Sequence, residues 1–216
     1  MIANLPVHNA IATNKLCSGM GTAISTIKLA KGVYFPWKKA LPCVAAALAG
    51  SFVGARLALL MDAEIFKRIM LVILPLTAFY ILRGRSFDDN REELPPGKTI
   101  LLAVLIALVI GIYDGFYGPG TGTFLILLLT SVAHFRLGEA NGVAKAINLT
   151  TNVTSLTVYL LSGKVVLLLG LAAGLCGVAG NYIGITFFEH KGSKGVKPIM
   201  LSVLALFFIR ILSEIL

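Results

Sequence analysis

Long apolar stretches separated by short polar ones recur along this chain, and most reach the length that one membrane crossing needs, about 20 largely apolar residues. Their spacing predicts helices at about residues 9–30, 38–61, 65–82, 140–162, 164–188 and 196–215. A seventh apolar unit, 99–133, is built differently. The run ILLAVLIALVI precedes, and TFLILLLTSVA follows, the segment Gly111 to Gly122, which reads GIYDGFYGPGTG. As one straight helix its 35 residues would run about 52 Å at 1.5 Å per residue, well beyond a hydrocarbon core of roughly 30 Å. The Gly-Pro-Gly run predicts a break, with two short helices meeting near the midplane at Gly118 to Gly122. Backbone that is not helical is tolerated at that depth only where it is buried in protein or lines a polar cavity. The segment is therefore the first candidate for a substrate site.

Composition agrees with a membrane setting. Apolar residues make up 57% of the chain, charged residues 13%, and the mean hydropathy is +0.88, against roughly 25% charged in soluble proteins. The fold class expected is all-α and polytopic. A net charge of +9 in a soluble protein would point to nucleic acid, but here the basic residues cluster in loops between spans, as the positive-inside rule describes. No nucleic-acid partner is expected; the lipid bilayer is. The opening MIANLPVHNA has no basic n-region followed by an apolar core, so no cleavable signal peptide is expected. Cys17, Cys43 and Cys176 all fall inside apolar segments and read as packing residues, with neither a disulfide nor a metal site implied.

An internal repeat runs at a constant offset of 130 residues. Lys15 matches Lys145, Gly50 and Gly54 match Gly180 and Gly184, Lys67 matches Lys197, and Ile69-Met70-Leu71 matches Ile199-Met200-Leu201. A gapless register across three helices defines two copies: 1–83, a charged connecting loop at 84–98, and 99–216 carrying the break. The first copy's equivalent of the break falls before Met1. The expectation is an N-terminally incomplete first copy and a coding sequence that extends upstream. Charge then orients the break. If 99–133 crossed once, the basic residues would divide almost evenly between the two sides. If it enters and returns, Lys31, Lys38, Lys39, Arg83, Arg85, Arg91, Lys98, Arg136, Lys191, Lys194 and Lys197 share one side against Lys67, Arg68 and Lys164, which obeys the rule far better. That arrangement makes the copies inverted in the membrane, a common plan among secondary transporters, with sites at the midplane where helices are broken.

The pattern GxxDGFxGPGxG at 111–122, ATNKL at 12–16, AKxxNxxxN at 144–152 and GK at 163–164 resemble the sulfite exporter TauE/SafE family of bacterial membrane proteins. The resemblance covers essentially the whole chain. It implies duplicated halves, each opening with a glycine-rich segment, and export of sulfite, organosulfonates or related small anions across the bacterial inner membrane by a multi-pass secondary transporter working through alternating access. The absent first glycine-rich segment departs from that pattern.

Each candidate site residue has a plainer alternative. Lys15 and Lys145 lie inside apolar helices, where a charge costs about 2.5 to 3.5 kcal/mol on insertion scales; they either attract an anion or snorkel to the nearer interface. Asp114, the single acid of the broken segment, either takes up a proton during transport or caps the second half-helix. Asn148, Thr151, Asn152 and Ser155 form one polar stripe, matched by Ser18, Thr22 and Ser25 in the first copy. Such stripes face a substrate or simply bond neighbouring helices. Gly118, Gly120, Thr121 and Gly122 offer backbone N–H groups to an anion at a half-helix start, or else let the halves approach closely. The pairs Gly50/Gly54 and Gly180/Gly184 read as helix packing.

Three classes of function remain. An anion-exporting transporter predicts polar groups meeting from both halves. A membrane enzyme would need a nucleophile and base or metal ligands, yet His8, His134 and His190 are scattered near loops; neither enzyme, cofactor nor metal is expected. A structural or partner-binding membrane subunit, or an inactive truncated product, needs no converging stripe. The identity of the anion, proton coupling and oligomeric state, including a homo-oligomer, stay open.

Overall fold

A computed structural model describes residues 5–30, 35–62, 64–65, 69, 94–184, 186–187 and 202. Six helices run through this part: α1 (Val7–Ala30), α2 (Trp37–Leu60), α3 (Pro96–Phe116), α4 (Thr121–Ser131), α5 (Leu137–Leu161) and α6 (Leu167–Gly184). There is no strand among the described residues. The helices expected at 65–82 and 196–215 lie largely outside them, as do the matches of Lys67 with Lys197 and of 69–71 with 199–201. Helices α2, α3 and α6 are long and apolar enough to cross a membrane by length and composition. The protein is polytopic and all-helical.

Local chemistry sets several boundaries. Pro96 occupies the first position of α3, where a missing N–H costs nothing. After α5 the chain closes a Schellman motif: Gly163, at φ 64°, donates to Leu160 O at 3.0 Å and Lys164 N donates to Tyr159 O at 3.1 Å. The next hydrogen bond ties two helices together, because the Val166 N–H, just ahead of α6, donates to Thr13 Oγ1 on α1 at 3.0 Å.

Small residues let α2 and α3 touch along their backbones. Gly50 and Gly54 face the Leu108 and Ile112 carbonyls, while Gly111 and Gly115 face Ala47 and Ser51, so closely that a Cβ at Gly54 or Gly115 would overlap a carbonyl oxygen. This register, 47 beside 111 and 51 beside 115, makes the two helices parallel. Helix α5 runs the same way: Lys39 and Glu139 at the starts of α2 and α5 form a salt bridge at 2.9 Å, and Ser51 donates to Thr151 O at 2.8 Å. Helix α1 is antiparallel to α5, since Gly19 meets Asn152 while Thr26 donates to Lys145 O at 3.1 Å. Helix α6 lies parallel to α1, with Leu16 on Gly170, Met20 on Gly174, and Ser25 donating to Asn181 Oδ1 at 3.1 Å.

The two seams match each other at the sequence offset. Asn181 crowds Gly21 on the α1–α6 seam, and the residues 130 positions away, Ser51 and Thr151, are bonded on the α2–α5 seam. Gly180 and Gly184 do not follow. Among the described residues a Cβ at either would meet nothing within 4 Å, so the packing expected of this second pair is absent there. The cause is plain: α6 presents that side away from α1, and Tyr182 and Ile183 beside it are exposed.

The chain does break between α3 and α4, and it turns back. Tyr113 and Phe124, on either side of the break, touch edge to face with ring centroids 5.6 Å apart. The end of α4 then shares one buried cluster with the starts of α2, α3 and α5, where Leu129 and Ala133 join Ala40, Ala103 and Ala140. Two features differ from expectation. Helix α3 is not short, at 21 residues against 11 for α4. The break is accordingly displaced from the middle of the bundle, with Phe116 level with Gly54 in the last two turns of α2. A uniformly apolar run carries no mark of depth; the Gly-Pro-Gly sequence alone fixes where the helix stops.

Candidate functional site

The backbone of the break is held open by glycine. Gly118 and Gly120 have φ of 101° and 79°, in the left-handed region that side chains resist. Gly118 has a second constraint, because a Cβ there would lie 2.5 Å from Asp114 Oδ1 and 2.7 Å from Lys15 Nζ. The turn is pinned by side chains as well: Tyr113 OH donates to Pro119 O at 2.6 Å, Thr121 Oγ1 to Gly118 O at 2.6 Å, and Tyr159 OH, from α5, to Gly115 O at 3.0 Å.

Against this turn sits a buried ion pair. Lys15, on α1, is 1% exposed and does not snorkel. Its ammonium lies 3.1 Å from Asp114 Oδ1 and also donates to the Asp114 backbone carbonyl. The single Thr121 hydroxyl proton is shared between that carboxylate oxygen, 2.7 Å from Oγ1, and Gly118 O. Both interactions of the carboxylate therefore fall on Oδ1, and Asp114 Oδ2 is buried with no hydrogen-bond partner among the described residues. Asp114 caps no helix in the usual sense: α4 has no side-chain cap bond, and the carboxylate is taken by Thr121 Oγ1 and Lys15 instead.

Lys145 holds the equivalent place in the second copy and is treated differently. It is half-buried, on the same face of α5 as Asn148 and Asn152, and among the described residues no carboxylate pairs with it. Asn148 faces the start of α4, its Nδ2 3.8 Å from where a Gly122 Cβ would stand. Asn152 donates to Asn148 O at 2.8 Å and Oδ1 at 3.0 Å, and abuts Gly19 of α1. The α5 stripe is thus flanked by α1 on one side and the break on the other. Thr151 and Ser155 turn their hydroxyls back onto carbonyls of their own helix, Thr151 to Asn148 O at 3.0 Å and Ser155 to Thr151 O.

The first-copy stripe divides. Thr22 is buried and Ser18 half-buried on α1, whereas Ser25 is spent on Asn181 of α6. Tyr159, Tyr113, Ser51 and Asn181 were not singled out from the sequence. Their signal was a lone polar atom on an apolar helix, which in a membrane must find a partner. Among the described residues no group of three or more His, Cys, Asp or Glu is placed to hold a metal ion.

An all-helical membrane bundle with a broken glycine-rich helix and ionised groups buried beside it has the make-up of a transporter, and the comparisons place it among them. The sequence model of the sulfite exporter TauE/SafE family matches residues 1–211. The chain belongs to that family. It is 31% identical over 214 residues to the "Probable membrane transporter protein ORF9" of Sinorhizobium sp, covering 99% of this chain and 82% of that one. It is 27% identical over 221 residues to the "Probable membrane transporter protein YfcA" of Escherichia coli strain K12, covering 99% and 79%. A "Probable membrane transporter protein" of Haemophilus influenzae is 27% identical over 207 residues, covering 93% and 78%. No solved structure matches the chain. The protein is a membrane transporter.

Proposed function

We propose that this transporter is a secondary carrier that exports small anions, sulfite or organosulfonates, across the bacterial inner membrane by alternating access. The observation that carries the reading is the inequality of the two lysines. Lys15 is neutralised by Asp114 at 3.1 Å, while Lys145 is an ammonium inside the bundle with no carboxylate paired to it among the described residues. A charge at that depth is costly unless something neutralises it. An anion does so, and the Asn148 amide, one turn along α5 and facing the glycine-lined start of α4, is placed to bind its oxygen atoms. The α4 N-terminus adds the positive end of its dipole. Inverted copies are supported by the antiparallel course of α1 and α5, which occupy equivalent places in the two copies, and by the seams that repeat at the offset of 130. The family description, which names sulfite, supports the class of anion.

Uptake of labelled anions into proteoliposomes of the reconstituted protein tests this, with sulfite, sulfate, sulfonates and carboxylates presented in turn. Uptake is expected with the sulfur oxyanions, and Lys145→Ala should abolish most of that uptake while membrane expression stays intact. A Lys145→Ala protein with unchanged uptake would remove the lysine from the site.

A further inference from the structure

We propose that Asp114 Oδ2 is a proton-binding site that couples anion passage to a proton, with Lys15 as the group it switches. The proposal rests on the anion-transport reading above. Among the described residues every donor that reaches this carboxylate is gathered on its other oxygen, Thr121 Oγ1 at 2.7 Å and Lys15 Nζ at 3.1 Å. Oδ2 is buried and receives nothing among those residues. An ionised carboxylate leaves that oxygen's lone pairs desolvated and unbonded, a costly state. Adding a proton there removes the charge that makes it costly and disturbs neither bond on Oδ1.

The consequence falls on Lys15. Among the described residues the groups around Asp114 are Lys15 on α1 and the neutral Thr121 on α4, with the Tyr159 hydroxyl of α5 on Gly115 O and the hydroxyls of Tyr113 and Tyr117 in the broken segment itself. Helix α2 brings Ser51, Gly54, Ala55 and Ala58 to this level, none of them ionisable. Lys15 is thus the cation that balances Asp114. Once a proton forms the O–H bond on Oδ2, the carboxylate becomes a neutral acid, the ion pair is dissolved, and the ammonium remains buried without a counter-charge. A monovalent anion restores neutrality by pairing with Lys15. Proton alone or anion alone leaves one net charge in the apolar interior, whereas both together leave none. Each therefore favours the other's binding, by thermodynamic reciprocity. The stoichiometry follows directly: one proton accompanies one negative charge, and transport of a monovalent anion moves no net charge.

Isethionate is the right probe anion, since a sulfonate stays ionised across the working range, whereas sulfite itself takes up a proton and would carry it as cargo. Proteoliposomes with a trapped pH dye and an isethionate gradient should show proton movement in the same direction as the anion, one for one, with a rate that rises by up to about tenfold per pH unit of acidification. Asp114→Asn, a fixed neutral side chain, should move isethionate without protons, carry net charge, and lose the pH dependence. An Asp114→Asn protein that keeps the wild-type proton signal overturns the proposal. Should that variant fail to fold, Thr121→Val removes one donor from the ionised form, so the pH profile of flux should move to the alkaline side; an unmoved profile overturns it equally. If the wild type carries none of isethionate, sulfate or sulfite, the transport reading falls, and infrared difference spectra still decide the proton site without any flux. The protonated-carboxyl band that grows on acidification should be smaller in Asp114→Asn than in the wild type. Identical bands would show that Asp114 takes up no proton.

Discussion

Removing one member of the Lys15–Asp114 pair should cost more stability than removing both. The two side chains are 2% and 3% exposed and their charged atoms are 3.1 Å apart. Lys15→Met leaves the carboxylate buried with Thr121 as its one remaining donor, and Asp114→Leu leaves the ammonium with a backbone carbonyl only. Breaking a buried pair from one side costs about 3 to 5 kcal/mol, because the survivor is an uncompensated charge. Insertion scales give about 2.5 to 3.5 kcal/mol for one charge at the centre of a helix in a membrane; about 3 kcal/mol per single variant is a consistent working figure. The double variant has no orphaned charge, and apolar replacement of a buried pair is often neutral, so it should be more stable than either single one. Circular dichroism during denaturation of the purified protein in detergent, for all four proteins, measures the cycle. Additive losses, with the double variant worse by the sum of the singles, would mean that the two charges do not sense each other and would refute the account of the site.

The glycine seam offers a contrast within one helix class. Gly54→Ala and Gly115→Ala must push α2 and α3 apart and should cost about 1 to 3 kcal/mol, whereas Gly180→Ala meets nothing within 4 Å among the described residues and should stay within about 0.5 kcal/mol of wild type; equal thermal stabilities for all three would contradict the close approach. The turn-back of the break predicts that single cysteines at Lys98 and Glu139 react with an impermeant thiol reagent from one side of the membrane and a cysteine at Lys164 from the other, on a background lacking the three native cysteines. Labelling of positions 98 and 139 from opposite sides would mean that 99–133 crosses. Tyr159→Phe deletes the 3.0 Å bond to Gly115 O and should lower stability by about 1 kcal/mol, read by the same denaturation.

Helix positions were legible because apolar length is the signal that a bilayer imposes. The expected 9–30 and 38–61 became Val7–Ala30 and Trp37–Leu60, and 140–162 became Leu137–Leu161. The break was legible from Gly118, Pro119 and Gly120, and the turn-back from the placement of Lys and Arg. Depth was not, since nothing in an unbroken apolar run such as 100–110 distinguishes a half-helix from a full one, and α3 ran on to Phe116. The ion pair was also out of reach. Lys15 and Asp114 each stood out as a charge in an apolar segment, yet they are 99 positions apart, and the repeat relates Lys15 to Lys145 rather than to any acid. Seam-forming Ser51 and Asn181 went unnoticed for a simpler reason. A single hydroxyl or amide on an apolar helix has no periodicity, and its partner is visible only once the helices are side by side.

The same geometry explains why two segments related by the sequence offset of 130 are chemically unlike. On the antiparallel α1–α5 seam, Thr26 stands beside Lys145, and the offset of 130 puts Leu156 beside Lys15. The two lysines are then separated along α5 by the distance from 145 to 156, about 16 Å at 1.5 Å per residue, with Asn148 and Asn152 between them on the seam. Among the described residues only the α3–α4 break brings a carboxylate to either station, and it brings it to Lys15. One lysine is therefore balanced by a carboxylate, and the other has none paired with it among the described residues. Under the proposed function this ordering gives direction to the seam: an anion is drawn first to Lys145, and it gains a second station at Lys15 only when Asp114 has been protonated. Swapping which lysine faces the carboxylate would reverse that order, so the proposed order of binding follows from an inequality that the repeat by itself does not contain.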